Sequence, residues 1–166
     1  MSGPGAPPGP GRRGSQPPAG PHEIVNAGEL APPVGFAHAV MAAPGRTVFL
    51  GGQIGADRDG EVRVEGLADQ LDLALGNLVT ALGAAGGRPQ HLVWMQIFVT
   101  DVAAYRSRRR RLGEVWRRHL GRHYVATALL EVKGLFDPAA MVEVMGIAVI
   151  PATVGASRPE DPEAGL

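Results

Sequence analysis

Apolar positions change their period several times along this chain, and each change marks an element. The short apolar runs 36–41 and 46–50 are separated by Ala43-Pro44-Gly45, which predicts two strands joined by a turn. Over 66–85, Leu71, Ala74, Leu75, Leu78, Ala81, Leu82 and Ala85 recur at helical spacing, and Gly86-Gly87 follows as a stop. Residues 91–99 are apolar and β-rich, the pattern of a central strand. Thr100-Asp101 then offers an N-cap for a helix over about 102–119. Two more strands, about 126–133 and 140–150, are joined by Gly134-Leu135-Phe136-Asp137-Pro138. The order β-β-α-β-α-β-β predicts an α+β fold, a mixed sheet with two helices on one face.

The ends of the chain break this pattern. Residues 1–22 are rich in Gly, Pro and Ser and have few apolar side chains to offset their ordering entropy, so they read as a disordered tail. Residues 152–166 read as a shorter flexible tail, which leaves one folded domain over 23–151. The 16 basic and 16 acidic residues cancel, so no net field holds nucleic acid or an anionic membrane. There is no cysteine, which excludes disulfides, thiolate nucleophiles and Cys-based metal sites. No stretch is long and apolar enough to span a bilayer, and without a run of about 7–15 apolar residues at the N-terminus a secretory signal is not expected. The expectation is a cytoplasmic protein without membrane or nucleic-acid partners.

Several short motifs fall in order along these elements. Leu50-Gly51-Gly52-Gln53-Ile54 follows from the end of the second predicted strand. Asp69-Gln70, Leu75 and Asn77-Leu78 lie in the first helix, which ends in Ala84-Ala85-Gly86. Phe98-Val99-Thr100-Asp101, with Tyr105 after it, leads into the second helix. Leu130-Glu131-Val132, Leu135, Val142-Glu143-Val144 and Ile147-Ala148 mark the last two strands. Together, over about 33–150, these motifs make the chain resemble the Rid (YjgF/L-PSP) family. The resemblance implies a chorismate-mutase-like fold and a homotrimer, its sheets forming a central barrel, with small-molecule clefts between neighbouring subunits. The strand 140–150 agrees: it is apolar at both parities and needs cover on both faces, and the chain has only one layer of helices to give.

In active members the resemblance implies hydrolysis of enamines and imines derived from amino acids, without cofactor or metal. The 2-imino acid carboxylate there meets an arginine, the best bidentate match for it. That arginine stands in a Pro-Ala-Arg motif entering the fifth strand, where this chain has Val125, Ala126 and Thr127. A threonine offers one hydroxyl and no charge. Other pocket positions depart as well: Gly51 stands for a serine, Leu129 for a cysteine, Arg109 for an asparagine, and Phe36 for a tyrosine. Gly52 remains, and its missing side chain would let backbone approach a ligand.

Glu143 is the candidate catalytic residue. It is the only charge within 140–150, on a strand expected to be covered, and the matching family glutamate positions or activates water. The plainer alternative is a strand-edge glutamate paired with an arginine. His38 is a weaker candidate, on the first predicted strand, and Glu131 is read as a packing or pairing residue. His119 and His123 flank a helix end, where a cation suits the dipole, and no carboxylate or histidine stands at ligand spacing to make a metal site of either. The arginines at 106, 108–111, 117 and 118 scatter over the faces of a helix, and Glu114 has Arg110 and Arg111 at pairing distance.

Three functions follow from the resemblance. One is a divergent member that binds or transforms a small ligand but is not an ordinary imine deaminase. A second is a 2-iminobutanoate/2-iminopropanoate deaminase in which Arg109 takes over carboxylate binding. The third is a non-enzymatic regulatory or chaperone-like trimer. Ribonuclease or translation-inhibitor roles also occur in the family, and the neutral charge and lack of a basic aromatic platform argue against them here.

Overall fold

A computed structural model describes residues 20–152. The expected tails therefore lie outside the described residues, except that residues 20–22 and Ala152 fall within them. The elements run β1 (Glu23–Val25), β2 (Ala39–Met41), β3 (Gly45–Ile54), α1 (Leu67–Ala84), a 3-10 turn at Pro89–His91, β4 (Leu92–Val99), α2 (Val102–Ser107), α3 (Arg109–Leu120), β5 (Ala126–Glu131) and β6 (Val142–Pro151). The four long strands form one sheet in the order β3-β6-β4-β5, antiparallel except for the parallel pair β4 and β5. The fold is α+β with a mixed sheet.

The main helices lie on one face. In β6, Val142, Val144, Gly146 and Ala148 are buried, as are Met95, Ile97 and Val99 in β4. These residues share a core with Leu71, Leu75, Leu78 and Leu82 of α1 and with Leu112, Val115, Trp116 and Leu120 of α3. Each such leucine, wholly removed from water, stabilises the fold by about 2 kcal/mol. Trp116 donates from its indole nitrogen to the His123 carbonyl and stacks on Tyr124, fixing the end of α3 against the turn before β5.

Several details differ from the sequence reading: β1 is not among its expected strands, and the second predicted strand, 46–50, extends over Gly45–Ile54. The first predicted strand, 36–41, is confined to Ala39–Met41, and it pairs with β1 rather than with the main sheet. Its earlier part makes one parallel bridge instead, Ala37 to Ala126, alongside the start of β5. The second helix is interrupted at Arg108, whose amide bonds back only three residues, to Tyr105. The two pieces answer to different partners. The first turn of α2 is held by Asp101 and Glu131, while α3 packs its apolar stripe into the core. Finally, the fifth strand ends at Glu131 rather than continuing to 133.

The other face of the sheet carries no helix. Phe49, Trp94, Phe98, Leu130, Met145 and Ile147 lie on it, half-buried or exposed, with Phe49 78 % exposed. This is the uncovered side that the two-sided apolar pattern of 140–150 anticipated.

Candidate functional site

The end of β3 is shaped by a bulge. Its register against β6 shifts between Leu50 and Gln53, so Gly51 and Gly52 bow out of the ladder. A side chain at Gly51 would meet open space, whereas a Cβ at Gly52 would overlap the Glu143 carboxyl group. Glycine at 52 is thus what lets that carboxyl group lie over β3. Glu143 stands opposite Ile54 on one side and Phe98 on the other. Its neighbours Val142 and Val144 are buried under the helices, so Glu143 points to the helix-free face. Among the described residues no hydrogen bond or ion pair engages its carboxylate.

Two polar residues of α1 hold this corner in place. Asn77 donates to the carbonyls of Ile54 and Ala56, pinning the end of β3 at 3.1 and 2.9 Å. Gln70, 3 % exposed, donates to Val64 and Ala139 and accepts from the Met141 amide, so it ties the loop before α1 to the start of β6. Both belong to the helix motif noted in the sequence, but their positioning role depends on contacts with 54–56, 64 and 139–141 that helical spacing does not reveal.

A second group collects at β5. The Ala37 bridge brings Phe36 beside the start of this strand. Thr127 is level with Met95, and Leu129 with Ile97, so both share the parity of the helix-covered side. The Thr127 hydroxyl donates to the Val125 carbonyl at 3.0 Å, which spends its one proton on its own strand. Nearby, His38 accepts from the Ala27 amide and bonds the Ala31 carbonyl, while its ring meets Phe36 edge-on at 5.9 Å. Its ring nitrogens thus serve the 26–38 loop.

Within one protomer these two groups do not meet. Strand β3, with Gly51 and Gly52, is the opposite edge of the sheet from β5, and β6, with Glu143, is two strand spacings or roughly 10 Å from β5; the Glu143 side chain also leaves on the face opposite to Thr127 and Leu129. An open cleft of about 390 Å³ lies elsewhere, between the 62–66 loop, Gln70, Ala139 and Met141, and includes none of the sequence-predicted site residues.

Arg109 opens α3 and is exposed, joining neither group by hydrogen bond or ion pair among the described residues. It lies near Tyr105, whose phenol is pushed up by burial and drawn the other way by the Arg109 charge. The neighbouring arginines pair as their spacing suggested: Arg110 and Arg111 reach Glu114 at 3.5 and 3.6 Å, and Arg111 also reaches Asp69. Glu131 accepts from the Val102 amide at the start of α2, a packing role. His119 bonds Asp72 at 2.6 Å, and Arg118 pairs with the same carboxylate. Among the described residues no group of three or more His, Cys, Asp or Glu side chains is placed to hold a metal ion. No described helix is long and apolar enough to cross a membrane.

With the geometry in place, comparison with known proteins identifies its setting. Residues 27–150 match the family model Endoribonuclease L-PSP. The chain belongs to this family, the Rid/YjgF/L-PSP family. Among solved structures, a Rid-family protein of unknown function from Yersinia pestis is similar at 26 % identity and a TM-score of 0.70, over 78 % of this chain and 99 % of that one. RidA from an Antarctic Psychrobacter is 28 % identical, with a TM-score of 0.56, over 84 % of this chain and 100 % of its own. A YjgF/YER057c/UK114 family member from Mycobacterium tuberculosis is 29 % identical, with a TM-score of 0.52, over 78 % and 99 % of the two chains. No curated protein matches the sequence significantly.

Proposed function

We propose that this Rid-family chain works as a homotrimer whose inter-subunit clefts each hold a small ligand, and that it is not an ordinary 2-imino acid deaminase. The observation that carries the reading is the division of the site between opposite sheet edges. Gly51 and Gly52 at the β3 edge, with Glu143 on the helix-free face beside them, meet Phe36, Thr127 and Leu129 only if a neighbouring copy brings its β5 edge against them. The uncovered face around Phe49 gives such a contact its apolar area. Thr127 supports the second half of the proposal, because the residue in the arginine position has neither charge nor a free hydroxyl proton. Glu143 is the candidate group for orienting water or a ligand nitrogen.

One observation favours a second reading, a surviving deaminase. Arg109 is an unpaired cation on the helix next to the same sheet, available to a ligand carboxylate in an assembly. The deciding experiment follows ammonia release from freshly generated 2-iminobutanoate, with the oligomer size checked by light scattering. The expected result is no acceleration by the wild type and a gain in Thr127→Arg. Acceleration by the wild type that Glu143→Ala and Arg109→Ala both abolish would establish the deaminase reading instead.

A further inference from the structure

The Glu143 corner combines a carboxylate without a partner and a surrounding that is otherwise apolar. Ile54 and Phe98 stand directly beside Glu143 across the two ladders, and Met145 is the next side chain on its own face. The carboxylate is half-buried, and no described donor or cation engages it. The group at the other edge adds an aromatic ring, an aliphatic side chain and a hydroxyl, again without charge. Phe36 is 41 % exposed and held edge-on by His38. The two halves together bear one negative charge and two phenyl rings.

A carboxylate moved further from water by a covering surface demands a counter-charge. Aromatic faces attract the same kind of group, because their quadrupole is negative over the ring. An anionic ligand would meet repulsion from Glu143, and neither half of the site carries a cation to offset it. We propose that the site takes a ligand with a cationic nitrogen, an ammonium or iminium group on a short apolar body without a carboxylate. The nitrogen bonds the Glu143 carboxylate across the gap left by Gly52, and the hydrocarbon lies against Phe98, Phe36 and Leu129. This rests on the inter-subunit cleft of the preceding reading. Thr127 then acts as a specificity residue, since the absence of positive charge at that position leaves Glu143 as the dominant field.

Butylammonium and butanoate are paired probes: each contains four carbon atoms, the fourth of butanoate being its carboxylate carbon, and they carry opposite charge at neutral pH. Each is titrated into the full-length protein and followed by amide chemical shifts at 51–53, 127–129 and 143. Butylammonium is expected to bind about tenfold or more tightly than butanoate, the worth of one charge-assisted hydrogen bond. Glu143→Gln, which keeps the shape, should erase that preference. Butanoate binding at these residues as well as or better than butylammonium would overturn the charge preference while leaving the cleft in place. A preference that persists in Glu143→Gln would equally overturn it. Shifts at none of these residues with either probe would remove both the preference and the cleft.

Discussion

Two glycines at opposite ends of the same strand make opposite demands. A Cβ at Gly45 would run into the Ile150 carbonyl oxygen, which is backbone at the first rungs of the β3–β6 ladder and cannot move without opening them. A Cβ at Gly52 would run into the Glu143 carboxyl group, the far end of a flexible side chain. Gly45→Ala should therefore destabilise the protein by about 2 kcal/mol or more in urea unfolding, whereas Gly52→Ala should cost about 1 kcal/mol or less and displace the carboxylate. Equal losses in the two variants would refute the idea that Gly52 is kept for the site rather than for the strand. Part of this was legible in the sequence, where Glu143 stands out as a lone charge and Gly52 as a position whose missing side chain permits close approach. Their mutual contact was not, because it depends on a bulge whose register only the paired strand defines.

Among the elements, α2 shows how a short helix is held at its start. The Asp101 side chain accepts from the Ala104 amide at 2.8 Å, and Glu131 reaches across from β5 to accept from the Val102 amide at 2.7 Å. A helix of six residues has too few internal bonds to stand without such caps. Asp101→Ala is expected to lower stability by about 1 kcal/mol, read from denaturant unfolding with an unchanged slope. The cap was readable from Thr100-Asp101, and α1 from its leucine stripe, because both are local patterns. The interruption at Arg108 and the pairing of β2 with β1 were not. The first arises where two helical pieces serve different partners, and the second from strands separated by a 13-residue loop, residues 26–38.

For the molecule as a whole, acid is the expected weakness. His22, His91 and His123 are buried near one end of the sheet, at 6 %, 6 % and 5 % exposure. His22 bonds the carbonyls of His91 and Val149 and accepts from the Ala43 amide, so it joins the segment before β1 to three others. His123 bonds the Leu92 carbonyl at 2.8 Å, and His91 accepts from the Arg88 amide. Burial lowers both His91 and His123 from the ordinary value of 6.5, with nearby Arg88 and His22 adding to the shift for His91 and His22 for His123. A ring that binds its proton more weakly folded than unfolded contributes stability that is complete above 6.5. That contribution is lost as the pH falls from there towards the folded value. The melting temperature should thus drop between about pH 7.5 and about pH 5, and His123→Gln should flatten the slope. A melting temperature independent of pH across that window would show that these rings charge as easily folded as unfolded.

The separation of the candidate residues onto two sheet edges has a genetic corollary. If each cleft joins the Glu143 group of one copy to the Thr127 group of the next, a lesion in either group spoils every cleft when every copy carries it. Two differently damaged chains, mixed in one ring, would regenerate one intact cleft wherever the undamaged group of each met the other. Impaired alleles of this gene would then complement one another within a single cell, and heterozygous mixtures would retain function that neither parent sequence has alone.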